Sequence, residues 1–316
     1  MIRLAKYDLN IEPSYVQEKI VELMTDTMQK RENKGCLVIF SGQNDSFVSA
    51  KLAIKSVGME AVKLIIISDV TQSRKKEISS IATDKLGFPE DRIVSFDINK
   101  VAKPFEPEKN LFFENITGVP VFRQHNINHL LLRSKRVQKI VEEKTFSHIG
   151  KSQDTKDNFF RELIAYSKVR KRLKSILAYL IAEKENLLLV SKTNKTEYTT
   201  GLYTIFGYGH AADIMPLGDL YRTQVLQLSK FIGVPQEIRD FAHTDIMPGV
   251  VNKYQYFFEL DSNSVDKILI RVEANMKLQD ISVELNLAEE KVERVNHFYK
   301  VSKLQKQLPV MPYFNE

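Results

Sequence analysis

The 316-residue sequence lacks several features that mark common classes of protein. Its single cysteine, Cys36, cannot form a disulfide within the chain and lies in an apolar run, as expected of a buried core residue. No run of about 18 apolar residues occurs, which argues against a membrane-spanning helix. The first residues also lack the apolar stretch of a signal peptide. These absences predict a cytoplasmic protein.

Two common nucleotide-binding signatures are also missing. Neither GxxxxGK[ST] nor GxGxxG occurs, so a Walker-type NTPase or a dinucleotide-fold dehydrogenase lacks its motif. The formal charge of +6 fits either a lysine-rich solvated surface or a partner that carries phosphate. The densest basic cluster, residues 168–174, would suit a nucleic acid as well as a nucleotide. Charge alone therefore does not identify the ligand.

Short apolar runs alternate with helical periodicity along much of the chain. Continuous apolar runs are typical of strands that are buried on both faces. They predict strands at residues 36–40, 62–67, 93–96 and 187–190. Helical patterns predict helices at residues 14–33, 72–85 and 157–184. This alternation predicts an α/β protein with a doubly wound parallel sheet.

The domain organisation follows from where this pattern weakens. We predict one α/β domain over residues 1–261, with residues 104–156 as an insertion, lid or dimer element. Residues 262–316 are predicted to form a helical extension packed on that domain. Within it, residues 278–292 superficially resemble a helix-turn-helix, but the acidic residues that begin the second helix favour a packed helical pair.

The first segment with chemical character is the turn Ser41-Gly42-Gln43-Asn44-Asp45-Ser46, which lies between a predicted strand and a helix. A small-residue turn at a helix N-terminus directs unpaired N–H groups at an anion. Asp45 would repel a phosphate there unless a metal ion bridged the two. The alternative is an ordinary βα turn in which Asp45 or Ser46 caps the helix.

The second such segment, residues 191–197, follows the strand at 187–190 and continues into residues 201–225, which are rich in Gly, Thr and Tyr. In α/β proteins the carboxyl ends of strands are where ligands bind. Together with isolated acidic residues, this composition predicts a functional segment.

These segments resemble motifs of the ammonia-dependent NAD synthetases, members of the adenine-nucleotide α-hydrolase-like superfamily. Residues 41–46 match the pattern SGGxDS, residues 191–197 match GTGNKSE, and residues 201–224 match GYFTKYGDGGADIxPLxxLYKTQ. Residues 170–173 match ARxRM, and residues 242–249 resemble PSAxLxPG. The chain departs from these patterns at several positions, namely Gln43, Lys192, Ile205, Tyr208, Arg222, Asn252 and Lys253.

The departure at Gln43 has a calculable consequence. If this position needed a left-handed backbone, a residue other than glycine would cost roughly 1–2 kcal/mol.

The resemblance implies roles for particular residues. ATP would be bound by Ser41, Gly42, Gln43, Asp45, Ser46, Arg170 and Thr193. Asp45, Arg222 and Thr244 would be catalytic, and Asp45 and Glu197 would hold Mg²⁺. Tyr203, Phe206 and Asp213 would contact deamido-NAD.

The resemblance also implies a reaction. Deamido-NAD would be adenylated by ATP and amidated by free ammonia, giving NAD, AMP and pyrophosphate, in a homodimer with no membrane or nucleic-acid partner. Two alternatives stay open: an ATP pyrophosphatase of the same superfamily that acts on another substrate, and a nucleotide-binding homologue without activity. Departures at 205, 208 and 252–253 favour these alternatives, whereas the retained acids Asp45, Glu197 and Asp213 favour an enzyme.

Overall fold

The computed structural model describes residues 7–68, 72–105, 155–207, 209–240 and 252–306. Most of the predicted insertion, together with Tyr208 and the segment 242–249 that contains Thr244, lies outside these ranges.

The centre of the described fold is a sheet of four parallel strands. They are β1 (Gly35–Ile39), β2 (Val62–Ser68), β3 (Ile93–Asp97) and β4 (Leu187–Val190). The strand order is β3-β2-β1-β4, and Cys36 of β1 lies opposite both Val62 and Leu188. The chain thus moves outward from β1 to β3 and then returns to the other side of β1. Open α/β sheets bind ligands at such a reversal, which here falls between β1 and β4.

Twelve α-helices lie in the described ranges. They are α1 (Pro13–Lys30), α2 (Asn44–Val57), α3 (Gln72–Ser80), α4 (Ile98–Ala102), α5 (Thr155–Glu185), α6 (Lys195–Thr200), α7 (Arg222–Phe231), α8 (Gln236–Arg239), α9 (Lys253–Phe258), α10 (Ser262–Glu273), α11 (Leu278–Leu285) and α12 (Glu289–Gln305). A π-helical turn, Ile81–Lys85, extends α3. No helix in these ranges is both long enough and apolar enough to cross a membrane.

Helices cover both faces of the sheet. Cys36 and Val38 of β1 lie in a core with residues of α1, α2 and α7. Leu37 and Ile39 of the same strand lie in a second core with residues of α4 and α5. Because successive strand residues face opposite sides, both sets must be apolar, and all four side chains are fully buried. The predicted doubly wound parallel sheet is confirmed.

The helices of the C-terminal third enclose a third core. Phe257, Phe258 and Val265 lie in it with Ile281 of α11 and Val295 of α12. Helices α11 and α12 therefore pack against the neighbouring helices, as was predicted for residues 278–292. Leu202 and Tyr221, which precede the predicted boundary at 261, belong to this core as well. The division into residues 1–261 and 262–316 stays a prediction.

Candidate active site

Polar groups within the loop after β1 form hydrogen bonds with one another. The Ser41 N–H donates to Ser46 Oγ over 3.2 Å, and that hydroxyl donates to the Gln43 carbonyl over 2.8 Å. Gly42 has a φ of +75°, whereas Gln43 is extended, with φ −89° and ψ 162°. The left-handed conformation therefore falls on Gly42, and the cost considered for Gln43 does not arise. Gln43 is also the N-cap of α2, so neither Asp45 nor Ser46 has that role.

The loop after β4 lies beside the first, because β4 pairs with β1. The Thr193 N–H donates to Ser191 Oγ over 3.0 Å, and its hydroxyl donates to the Gly209 carbonyl over 2.6 Å. Ser49 of α2 donates to the Ser191 carbonyl over 3.1 Å. Asn194 caps α6, its Oδ1 accepting from the Glu197 N–H over 2.9 Å. These bonds fix the loop from three directions.

One side chain joins the two loops. Asn194 Nδ2 donates to Asp45 Oδ2 over 2.8 Å, while its Oδ1 holds the start of α6. Arg222 forms an ion pair with Asp45, and Lys253 forms one with Glu197. Asp45, Glu197, Arg222 and Lys253 thus form a charge cluster at the carboxyl ends of β1 and β4.

Asp45 and Arg222 of the charge cluster are both charged at neutral pH. Burial opposes the ionisation of Asp45, but the charges of Arg222 and Lys253 outweigh it and hold its pKa below the usual value. Hydrogen bonds from Asn44 and Asn194 act in the same direction. Burial also opposes the charge of Arg222, but Asp45 nevertheless raises the pKa of its guanidinium. The carboxyl ends of β1 and β4 therefore present fixed charges that a phosphate or a cation could contact.

A buried carboxylate, Asp266, bonds to the two helices that carry Glu197 and Arg222. Asp266 of α10 accepts hydrogen bonds from the Thr196 hydroxyl over 2.5 Å and from the Thr223 N–H and hydroxyl over 2.8 and 2.7 Å. Thr196 Oγ1 in turn accepts from the Arg222 N–H over 2.8 Å. Burial raises the pKa of Asp266 to about 6. This network fixes α6 and α7, and with them Glu197 and Arg222.

Two further basic residues lie at the carboxyl edge of the sheet. Lys192 Nζ is 2.9 Å from Ser41 Oγ and 3.4 Å from Gln43 Oε1, so it touches the loop after β1. Arg170, on α5, donates to Asn99 Oδ1 over 2.9 Å, beside the end of β3. The predicted ATP ligand Arg170 thus bonds next to the end of β3, whereas the charge cluster lies at the ends of β1 and β4.

The predicted substrate residues Tyr203 and Phe206 belong to an aromatic group that also contains Tyr198 and His210. The ring centres of Tyr203 and His210 are 4.8 Å apart with an interplanar angle of 3°. Tyr198 stacks on Tyr203 at 5.6 Å. The Phe206 N–H donates to His210 Nδ1 over 3.2 Å, and its ring is 62% exposed. Burial and the charge of Lys306 lower the pKa of His210, which favours the neutral ring that this bond requires.

Asp213, the third predicted substrate residue, lies at the edge of β4. One carboxylate oxygen pairs with Arg31 at 2.8 Å, and the other accepts from the Leu189 N–H at 2.8 Å. The structure does not bring it to the charge cluster. Thr244 lies outside the described residues.

Asp45 and Glu197 are the candidate magnesium ligands. Within the described ranges, no three His, Cys, Asp or Glu side chains converge as a complete metal site. Magnesium is commonly bound by one or two carboxylates together with phosphate oxygens and water. Asn194 bonds to the Asp45 carboxylate and to the Glu197 N–H, so both residues are held at adjacent strand ends, and their oxygens fit an ion shared with a bound polyphosphate.

The sequence of the chain matches a known protein family. The family model NAD synthase matches residues 122–309, more than half of the chain. A protein of Thermotoga maritima named NH(3)-dependent NAD(+) synthetase is 26% identical over 301 residues, which cover 93% of this chain and 98% of that protein.

Two solved structures share the fold at low sequence identity. An NMN synthetase from Francisella tularensis has a TM-score of 0.64 at 18% identity, and the match covers 96% of this chain and 100% of that one. An NH3-dependent NAD synthetase from Campylobacter jejuni has a TM-score of 0.62 at 14% identity, with the same coverage. The predicted adenine-nucleotide α-hydrolase-like fold is confirmed.

Proposed function

The chain belongs to the NAD synthase family, and from that premise we propose that it amidates deamido-NAD with ammonia at the expense of ATP. The substrate carboxylate attacks the α-phosphorus of ATP, which forms an acyl-adenylate and releases pyrophosphate. Ammonia then attacks the acyl carbon, AMP leaves, and NAD is formed. The observation that carries this proposal is the meeting of the loop after β1 with the charge cluster at adjacent strand ends.

The pyrophosphate part of ATP is bound by the loop after β1. Its N–H groups and the hydroxyls of Ser41 and Ser46 are donors at the N-terminus of α2, where the helix dipole favours an anion. Arg222 neutralises charge that develops on the leaving pyrophosphate. Asp45 and Glu197 would hold Mg²⁺, which supplies further charge neutralisation at the phosphates when bound.

Deamido-NAD is proposed to contact the aromatic group. The exposed ring of Phe206 offers an apolar face to a flat heterocycle, and the stacked rings of Tyr203 and His210 belong to the same group. The Asp213 carboxylate already accepts from Arg31 and from the Leu189 N–H, so we expect substrate to share this carboxylate with Arg31 or to displace Arg31.

The roles of Arg170 and Thr193 in binding ATP, and of Thr244 in catalysis, are proposals that rest on the family motifs. A homodimer is likewise proposed, as is a cytoplasmic location, in keeping with ATP and deamido-NAD as substrates.

The reaction can be tested directly. Purified protein is incubated with ATP, Mg²⁺, ammonium and deamido-NAD, and NAD, AMP and pyrophosphate are quantified, with each reactant omitted in turn. We expect the three products in equal amounts and none without deamido-NAD. Pyrophosphate release that ignores deamido-NAD would indicate another substrate, and no release under any condition would indicate a homologue without activity.

Nucleotide binding has an independent measurement. A ligand that binds only the folded state at 100 times its dissociation constant adds about 2.7 kcal/mol to the free energy of unfolding. We therefore expect ATP with Mg²⁺ to raise the unfolding temperature, and to do so more than ATP with EDTA. The absence of any shift at millimolar ATP and Mg²⁺ would contradict the nucleotide site.

A further inference from the structure

Two departures from the family motifs contact each other in the structure. Lys192 occupies the position of the threonine in GTGNKSE, and Gln43 that of the second glycine in SGGxDS. Lys192 Nζ is 3.4 Å from Gln43 Oε1 and 2.9 Å from Ser41 Oγ. A residue of the loop after β4 therefore reaches the loop after β1, which is about 150 positions earlier in the chain.

The backbone that carries Lys192 is held in place. Ser191 on one side accepts from Ser49 of α2 through its carbonyl, and Thr193 on the other side is bonded to Gly209. The backbone of Lys192 is thus fixed after β4, and its half-buried side chain reaches over to the carboxyl end of β1.

The position of the ammonium group matches that of a phosphate-binding cation. Ser41 Oγ lies 3.2 Å from Ser46 Oγ at the start of the loop, so a phosphate bound by these hydroxyls would lie next to the Lys192 Nζ. An ammonium group makes a stronger hydrogen bond with a charged phosphate oxygen than with a neutral hydroxyl such as that of Ser41.

We propose that Lys192 binds the pyrophosphate portion of ATP, as a ligand additional to the N–H groups and hydroxyls of the loop. This inference rests on the proposed function, because it assumes a polyphosphate in that loop. It goes further by assigning to Lys192 a positive charge at a position where the family motif has a neutral residue. The lysine thereby supplies part of the charge that would otherwise come from a metal ion.

The test is calorimetric binding of inorganic pyrophosphate, ATP and AMP, each in EDTA and in Mg²⁺. Lys192→Thr restores the family residue, Lys192→Met removes the charge but keeps the length, and Lys192→Arg keeps the charge. Lys51→Thr is the matched control, because Lys51 lies on α2 and its Nζ contacts the distant Gly233 carbonyl at 3.4 Å. Thermal unfolding checks that each variant is folded.

In EDTA, Lys192→Thr and Lys192→Met are expected to weaken pyrophosphate and ATP binding by at least about tenfold, as loss of a charged hydrogen bond predicts. AMP binding should be unchanged, and Lys192→Arg and Lys51→Thr should bind pyrophosphate within about threefold of wild type. Since Lys192→Met preserves packing, it decides the outcome if Lys192→Thr fails to fold.

Pyrophosphate binding by Lys192→Thr or Lys192→Met that equals or exceeds that of wild type would overturn the inference. An equal loss of AMP and pyrophosphate would overturn it too, since it would indicate a general disturbance of the site. These results leave the proposed function standing provided that wild type binds ATP. If wild type binds neither ATP nor pyrophosphate, the proposed nucleotide site fails and the inference fails with it.

Discussion

Lys253 lies where the family pattern continues with an acidic pair, and it forms an ion pair with Glu197. The side chains of Lys253 and Glu197 are only 15% and 17% exposed, so their attraction is weakly screened. A magnesium ion that binds Glu197 must therefore compete with an ammonium group supplied by the chain itself. A lysine at position 253 should therefore raise the Mg²⁺ concentration that the site needs.

We expect Lys253→Gln to lower the Mg²⁺ concentration that gives half of the maximal stabilisation by ATP. Removing one partner of a buried ion pair leaves the other charge uncompensated, at a cost of about 3–5 kcal/mol. Metal binding at Glu197 would recover part of this loss. The measurement is a Mg²⁺ titration of the unfolding temperature at fixed ATP. Lys291→Gln is the control, since Lys291 pairs loosely with Glu259 at 4.0 Å on α12.

An unchanged or higher magnesium requirement in Lys253→Gln would contradict this competition. Glu197→Gln gives the opposite comparison, because it removes the proposed metal ligand while leaving Lys253 unpaired. We expect its ATP stabilisation to lose most of its dependence on magnesium.

The sequence predicted the candidate residues of the loops but not the partners that connect them. Ser41–Ser46 and Glu197 were recognisable from motifs, because each motif is local in the chain. The Asn194 to Asp45 bond joins residues 149 positions apart, and nothing local indicates it. Asp266 was likewise missed, because an acid within an otherwise ordinary helix gives no signal until α6 and α7 pack against it.

At the scale of elements, the hydrophobic pattern located the strands to within a residue or two. Residues 187–190 were predicted and are β4, and the predicted helix at 157–184 is α5. Apolar runs predict such strands well when both sheet faces are covered, because most positions on either face must then be apolar. The start of α2 was placed too late, since Asn44–Ser46 were assigned to the turn although they form the first turn of the helix.

Gly35 allows β1 to lie very close to the turn before β2, because it has no Cβ. A Cβ at this position would lie 2.0 Å from the Ala61 carbonyl oxygen, a backbone atom that cannot move without shifting β2. We expect Gly35→Ala to lower the free energy of unfolding by about 3 kcal/mol or more. Gly87→Ala is the control, because its φ is +66° but no atom lies within 4 Å, so only backbone strain of about 1–2 kcal/mol is expected. Urea unfolding that gave the two variants equal losses would contradict the steric explanation.

Asp266 connects α6, α7 and α10, and it makes their packing sensitive to pH. Burial raises its pKa to about 6 in the folded state, against about 3.9 when unfolded. The folded protein therefore binds more protons between these values, and its stability falls as pH rises through them. The loss is on the order of 3 kcal/mol. We expect wild type to lose stability relative to Asp266→Asn between pH 4 and pH 7, measured by urea unfolding at both.

Asp261 provides a control of opposite sign at the start of α10. Burial opposes its ionisation, but hydrogen bonds from Ser264 outweigh this and lower its pKa. The stability that Asp261 contributes is therefore lost as pH falls. Asp261→Asn should accordingly become more stable relative to wild type at low pH. If wild type and Asp266→Asn respond identically to pH, the buried carboxylate does not titrate as argued.

The whole molecule assembles its site from segments that are distant in sequence. The order β3-β2-β1-β4 brings the loops after β1 and β4 side by side, and α9 and α10 then add Lys253 and Asp266 from the C-terminal core. Strand periodicity could predict a parallel sheet but not this order, because the apolar pattern of a strand does not identify its neighbours. The strand order depends on which face of the sheet each helical connection covers, and that is settled only when the helices pack on the sheet.

The exposed side of α5 is the surface that best fits a second copy of the chain. Ile176 and Leu180 are 62% and 55% exposed, and their spacing places them together on one helix face. On the same helix, Arg172 donates to the Ile205 carbonyl, next to the exposed Phe206. The exposed face of α5 therefore extends, through Arg172, towards the aromatic group proposed to contact deamido-NAD. A two-fold axis at this face would pair identical patches and place two substrate sites near the interface.

This arrangement predicts a homodimer that is broken by a charge on α5. Light scattering at micromolar concentration should give twice the chain mass of 36.5 kDa. Ile176→Asp should raise the dissociation constant of the dimer at least about a hundredfold, because burying an unpaired carboxylate costs about 3 kcal/mol or more. Val283→Asp is the control, since Val283 is 82% exposed on α11, and it should leave the dimer intact. A monomeric wild type would remove the proposed homodimer. If instead Ile176→Asp stays as dimeric as Val283→Asp, the dimer forms through another surface, and the exposed face of α5 is not what brings the two sites together.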